Sequence, residues 1–220
     1  MSATPQTAPA LALTPLPEAL ERLRRGEPVV VLDDVDRENE GDLILAAQLA
    51  TPRTMGFLVR HTSGYLCAPM PRDLAARLEL PLMVPSTEDP LRTAYTISCD
   101  AREGVTTGIS SADRARTVRT LATGTAADLI RPGHVLPLIA KDGGLRERRG
   151  HTEAAVELMR WAGVAPVGVI GEVVHDDGSL MRADDLAAFA REHDLAILTI
   201  EQMVQSLSES GGTQEPMPDA

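Results

Sequence analysis

The sequence predicts one α/β domain, a mixed sheet covered by helices, and three observations predict it. Short apolar runs rich in β-branched residues, such as 28–32 and 167–174, intermix with helical patterns without strict β-α-β alternation. The 220 residues are 43% hydrophobic and 24% charged, ordinary globular values, and no repeat or internal linker divides them. Aromatic residues make up only 2% (Phe57, Tyr65, Tyr95, Trp161 and Phe189), so the core has to be aliphatic.

Residues 1–15 are rich in Ala, Pro and Thr and read as a disordered leader. The domain is expected over 16–207, with 208–220 as a disordered acidic tail. Pro17 and Gly26 bracket a short helix. Residues 28–32 read as a buried strand running straight into an acidic block, and 43–47 as a second strand. Thr51-Pro52 is an N-cap and first-turn pair for a helix to about His61. A strand over 65–70 and a helix over 72–78 follow. Residues 81–93 contain three prolines and no period, so they read as a loop, a length that is uncommon without a function. Then come a strand over 94–100 and a helix capped by Ser110 or Ser111, with Asp113 in its first turn. Residues 131–134 read as a turn and 135–140 as a strand. His151 opens a helix ending at 161–163. A strand over 167–174, an Asp177-Gly178 turn, a helix over 183–192, a strand over 195–200 and a helix over 202–207 complete the chain.

Acids number 32 and bases 21, a net charge of −11. Residues 33–42 carry six acids and one arginine, and residues 201–220 carry four acids and no base. A sequence-independent nucleic-acid binder would lean the other way, and few rings are present to stack on bases. No apolar run approaches the roughly 20 residues of a membrane span, and no signal peptide is visible. Cys67 and Cys99 make no metal-type spacing, and nothing supports a disulfide between them. The expectation is a reduced, cytoplasmic protein with no nucleic-acid or membrane partner.

Five groups of residues could carry chemistry. The block Asp33-Asp-Val-Asp-Arg-Glu-Asn-Glu-Gly-Asp42 leaves a strand at its C-terminal end, where sites gather in α/β folds. If that block is extended, Glu38, Glu40 and Asp42 point to one side, and crowded carboxylates call for a cation such as Mg²⁺. The alternative is a solvated acidic turn. Residues 146–153 open a helix, and either its free N–H groups, with Gly150, Arg148 and Arg149, make a phosphate cradle, or the segment is a basic loop with a Thr N-cap. Thr152 serves that cradle or is a cap, and His151 is a metal ligand or a surface histidine. His134, after Pro132-Gly133, suits acid–base work. Glu172 is a lone acid in an apolar run, so it needs a partner or a task. The Thr106-Thr107 pair between Gly104 and Gly108 holds substrate hydroxyls or forms a turn.

These pieces, with Arg60-His-Thr-Ser-Gly64, Glu103-Gly-Val-Thr-Thr-Gly108, Arg131-Pro-Gly-His-Val135 and Arg149-Gly-His-Thr-Glu153 in this order, resemble the 3,4-dihydroxy-2-butanone 4-phosphate synthases of riboflavin biosynthesis. The resemblance covers roughly 17–207. It implies an α/β sandwich with a mixed sheet, and a Mg²⁺-dependent lyase, with Mn²⁺ as a substitute. The reaction it implies converts D-ribulose 5-phosphate to 3,4-dihydroxy-2-butanone 4-phosphate and formate. By the same resemblance, Arg37, Glu38 and Asp42 contact substrate, and Glu38 and His151 hold the metal. Arg148, Arg149, Gly150, His151 and Thr152 form the phosphate-binding stretch. His134 and Glu172 match positions essential for catalysis, Glu172 also touching substrate. The family is homodimeric with sites at the subunit interface, so His134 is expected to serve the other chain's site. Arg149 stands where a small residue is usual, Gly171 where Cys is common, and the 85–90 loop lacks an Asn-Thr pair. With two cysteines there is no three-cysteine zinc site of a fused GTP cyclohydrolase II, which predicts a monofunctional chain. The competing expectations are another Mg²⁺-dependent phosphosugar enzyme, such as an isomerase or phosphatase, and a non-catalytic phosphate-binding module.

Overall fold

The computed structural model describes residues 12–209. The chain runs α1 (Leu16–Arg24), β1 (Val29–Leu32), β2 (Gly41–Ala46), α2 (Pro52–His61), β3 (Cys67–Met70), α3 (Arg72–Arg77), β4 (Cys99–Ala101), α4 (Ser111–Thr123), β5 (Leu129–Ile139), α5 (His151–Trp161), β6 (Gly168–Glu172), α6 (Ala183–Glu192), β7 (Ala196–Thr199) and α7 (Ile200–Glu209). The strands form one seven-stranded sheet in the order β4-β5-β3-β6-β2-β1-β7. β1 with β7 and β3 with β5 are parallel, and the remaining pairs are antiparallel, so the sheet is mixed.

Strand alternation divides the core into two layers. Val30, Leu32, Leu43 and Leu45 face α2, α3, α4 and α6. Val29, Val31, Ile44 and Ala46 face α1, α5 and α7. Both layers are aliphatic, with Trp161 and Phe189 the buried aromatics. A sheet covered on both faces explains why β1 and β2 are apolar at nearly every position rather than alternating with polar residues.

Local signals start several helices. Thr51 accepts a hydrogen bond from Thr54 N–H at 3.1 Å, with Pro52 at the first position of α2. Ser110 accepts from Asp113 N–H at 3.1 Å at the start of α4.

Four expectations change. Residues 131–134 are not a turn outside the sheet but a bulge within β5: Cys99 pairs with Val135, and the next residue, Asp100, pairs with Ile130. Gly133 permits it, because a Cβ there would lie 2.1 Å from the Cys99 carbonyl carbon. The strand expected over 94–100 shortens to Cys99–Ala101, with Tyr95 and Thr96 in isolated bridges to Leu138 and Leu82. Within the expected leader, Thr14 N–H donates to Ile197 O at 2.8 Å, so the ordered chain begins earlier than residue 16; residues 1–11 lie outside the described ones. At the other end α7 runs to Glu209, two residues into the expected tail, whose remainder also lies outside the described residues. Cys67 and Cys99 are free and buried. No described helix is long and apolar enough to cross a membrane.

Candidate active site

The site grows from the ends of β1, β2 and β6. Asp42 stands opposite Glu172 in the β2–β6 ladder. By alternation both lie on the face of Ile44 and Ile170, toward α5. The acidic block is not extended but forms a tight loop closed on Asp33. Asp33 Oδ1 accepts from Glu40 N–H at 2.9 Å, and its Oδ2 accepts from Glu38 N–H at 3.1 Å and Arg37 Nη1 at 2.8 Å. Asn39 takes φ 54°, a left-handed conformation Asn tolerates. Glu38, Glu40 and Asp42 still converge, because all three line one small pocket of about 70 Å³.

His151 opens α5 and is buried. Its Nε2 lies 3.0 Å from Val31 O, an acceptor only, so Nε2 carries hydrogen. Nδ1 is thereby aimed into the site, 3.7 Å from Glu38 Oε2 and 3.6 Å from Asp42 Oδ1. Burial pushes the Asp42 carboxyl up to about 7; His151 opposes this, and Glu172 and Glu38 add to it. Burial disfavours the imidazolium of His151, but Asp42, Glu38 and Asp33 outweigh it and raise the group to about 9. Asp42 Oδ1 is buried with no hydrogen-bond partner.

These residues fit a divalent cation. The orphaned Asp42 oxygen and the aimed Nδ1 are what a cation would satisfy. Asp33, Glu38 and His151 offer donor atoms that all lie within 4.8 Å of one another. Hard carboxylates with one imidazole suit Mg²⁺ or Mn²⁺.

An anion cradle adjoins this cluster. Gly150 caps α5 without a side-chain bond. A Cβ on Gly150 would lie 2.3 Å from Arg148 Nη1 and 3.1 Å from Arg37 Nη2, so both guanidiniums converge over a helix N-terminus. Arg148 is held by Glu153 at 2.7 Å, Leu91 O at 3.0 Å and Thr93 Oγ1 at 3.1 Å. Thr152, in the first turn of α5, also lines the pocket. Arg149, expected in the same stretch, turns away: its Nε pairs with Asp34 at 3.1 Å and its Nη2 with Glu201, and it does not line the pocket.

Glu172 has the partner its position demanded, accepting from Ser63 Oγ at 2.6 Å. His134 is not among the residues lining this pocket. It lies on the β5 bulge, where its Nδ1 is 2.7 Å from Asp100 Oδ2. The Thr106–Gly108 segment is bound to Asp113, which accepts from Thr106 Oγ1 at 2.7 Å and Gly108 N–H at 3.1 Å.

A family model for 3,4-dihydroxy-2-butanone 4-phosphate synthase matches residues 17–206. The chain belongs to this family. A synthase of that name from Candida albicans is 53% identical over 198 residues, covering 89% of this chain and 97% of that one. The riboflavin biosynthesis protein RibBA of Salinispora arenicola is 56% identical over 190 residues, covering 85% of this chain and 45% of that protein. The chain thus spans about half the length of the RibBA relatives it matches. A solved 3,4-dihydroxy-2-butanone 4-phosphate synthase in complex with two magnesium ions superposes with a TM-score of 0.88 at 45% identity, over 91% of this chain and 99% of that one. A cation-free synthase gives a TM-score of 0.84 at 43% identity, over 91% and 100%.

Within this member of the synthase family, four residues of the site region were not singled out from sequence. Asp33 organises the acidic loop, Ser63 holds Glu172, Asp100 holds His134, and Glu153 holds Arg148. Asp33, Ser63 and Glu153 lie inside the family motifs, Asp33 and Glu153 among acidic neighbours of the same character. Ser63 and Asp100 meet partners 109 and 34 residues away, which no local spacing signals.

Proposed function

We propose that this protein is a Mg²⁺-dependent lyase converting D-ribulose 5-phosphate to 3,4-dihydroxy-2-butanone 4-phosphate and formate, with Mn²⁺ as a substitute cation. The observation that carries it is His151 Nδ1 aimed between Glu38 and Asp42, beside the Arg37–Arg148 cradle. Glu38 and His151 would hold the cation, and Asp33 and Asp42 stand close enough to support it. When bound, a divalent cation would polarise neighbouring substrate oxygens and acidify the adjacent C–H.

The chain's own residues do the rest. Arg37, Arg148, Gly150 and Thr152 bind and orient the phosphate, a non-reacting group whose binding energy is spent on position. Asp42 contacts substrate on the floor of the pocket. Glu172, oriented by Ser63, and His134 move protons: one proton leaves carbon, and one reaches the C1 hydroxyl as it departs as water. A carbon shift and hydration then release formate. Arg149 braces the acidic loop from outside through Asp34.

His134 enters through a homodimer with sites at the subunit interface. Its side chain is 40% exposed and does not line its own chain's pocket. The loop over 81–93 exposes Leu82, Met83 and Val84, with Met83 N–H donating to the carbonyl of the pocket residue Tyr95 at 2.9 Å, apolar surface that a second copy would cover. The working compartment is the cytoplasm, consistent with two free cysteines.

The deciding experiment is incubation with ribulose 5-phosphate and Mg²⁺, assayed for formate and inorganic phosphate. Formate with the phosphate ester intact is expected. Inorganic phosphate, an isomerised sugar or unchanged substrate would overturn the assignment.

A further inference from the structure

We propose that Arg182 is a positioning residue for the cation site: it clamps the backbone at Glu38 and Asn39 and so holds the Glu38 carboxylate at His151. This rests on the reading that Glu38 and His151 hold the cation. Arg182 stands in the connection between β6 and α6, 144 residues from Glu38. A single nitrogen, Nη1, donates both to Glu38 O, at 2.9 Å, and to Asn39 O. Among the described residues no backbone N–H reaches either carbonyl.

The acidic loop is thereby held from two sides. Inside, the Asp33 carboxylate gathers the N–H groups of Glu38 and Glu40. Outside, the Arg182 guanidinium gathers two carbonyls. Asn39 lies between these holds in the left-handed region, at φ 54°. An arginine suits the outer hold, because its charge strengthens each bond and its planar fork fixes where the N–H groups point.

The arm that carries the guanidinium is itself fixed. Arg182 N–H donates to Asp185 Oδ2 at 3.3 Å at the start of α6. One residue earlier, Met181 N–H donates to Val173 O at 3.0 Å, next to Glu172. Leu186 packs on Gly41, where a Cβ would lie 2.5 Å from Leu186 Cδ1. The clamp therefore springs from the strand end that bears Glu172 and closes on the loop just before β2.

Charge explains the need for it. Glu38, Glu40, Asp42 and Glu172 line one small pocket, and their mutual repulsion pushes the loop outward when no cation is bound. Arg182, which does not line that pocket, opposes the push from behind. Glu38 then meets the cation already in place, and less ordering has to accompany binding.

Arg182→Ala and Arg182→Lys test this in the full chain. Partners that orient a metal ligand typically matter 10- to 100-fold in affinity. Arg182 bonds the ligand's backbone rather than its carboxylate, so Arg182→Ala should raise the Kd of Mn²⁺, read by EPR of the free ion, about tenfold. Arg182→Lys should recover part of that loss. Without any cation, the amides of Glu38 and Glu40 should exchange faster in Arg182→Ala by NMR. The urea midpoint should hardly move, since the arginine is exposed. At saturating Mg²⁺ kcat should return close to the wild-type value, because Arg182 touches no reacting atom. Unchanged amide exchange overturns the proposal, and so does a kcat that stays low at saturating Mg²⁺. An unchanged Kd overturns it where Glu38→Ala raises Kd. If Glu38→Ala binds Mn²⁺ as the wild type does, the cation reading has failed instead, and amide exchange alone judges the clamp.

Discussion

Asp42 and Glu172 face each other across the β2–β6 ladder, two acids on the same face of neighbouring strands. Like charges placed directly opposite destabilise a sheet, and here Glu38 and Glu40 crowd the same pocket. The fold concentrates negative charge where one positive guest can relieve it.

The first expected outcome is cation dependence in two separate measurements. EDTA should abolish formate release. Mg²⁺ should also raise Tm, since binding only the folded state stabilises by about 2.7 kcal/mol at 100 times Kd. Glu38→Ala and His151→Ala should each lose the Mg²⁺-induced rise. A rise of equal size in all three proteins would place the cation elsewhere.

Arg148 and Arg149 should behave differently although adjacent. Arg148→Ala should raise KM about 10- to 150-fold, the loss of a charged hydrogen bond of about 1.5–3 kcal/mol. It should also destabilise the fold by about 3–5 kcal/mol, because Glu153, 1% exposed, loses the cation it is buried with. Arg149→Ala breaks pairs that are 39–50% exposed and should cost less than about 1 kcal/mol with little change in KM. Comparable effects at the two sites in steady-state kinetics and urea titration would contradict this.

Gly150 and Gly133 make a second contrast. Gly150→Ala presses on the far ends of Arg148 and Arg37, which can move, so the protein should fold while KM rises on the order of tenfold. Gly133→Ala meets backbone of Cys99 and Asp100, which cannot. Its cost should appear in stability, about 2 kcal/mol or more, as a lowered urea midpoint.

Subunit mixing tests the shared site. His134→Ala and Glu38→Ala proteins, each inactive alone, should recover about a quarter of wild-type activity after exchange, since half of the dimers are hybrids with one intact site. Demonstrated exchange with no recovery would put both residues in one chain's site.

Much of this was legible because its signals are local. Thr51-Pro52, Ser110 and His151 start helices where capping chemistry puts them, and the apolar runs sit one strand each. What escaped depends on distant chain. Pro132-Gly133 is turn chemistry by itself, and only the backbone of β4 makes it a bulge. Which of Arg148 and Arg149 faces the cradle follows from how the chain enters α5 and from Asp34 and Glu201 on the far side. The candidate metal and substrate residues are legible mostly through the family motifs, while the side chains that hold them, such as Ser63 on Glu172 and Glu153 on Arg148, are visible only in the three-dimensional contacts.

The contact between His151 Nε2 and the Val31 carbonyl carries a consequence for biosynthesis of the chain itself. The imidazole is aimed by a strand laid down long before α5 is made, and Asp42 finds its neighbour Glu172 only when β6 is in the sheet. Such long-range closure comes late in folding. A growing chain therefore cannot assemble this cluster until the residues through Glu172 have left the ribosome, and cation binding there would mark a chain in which α5 and β6 are already in place.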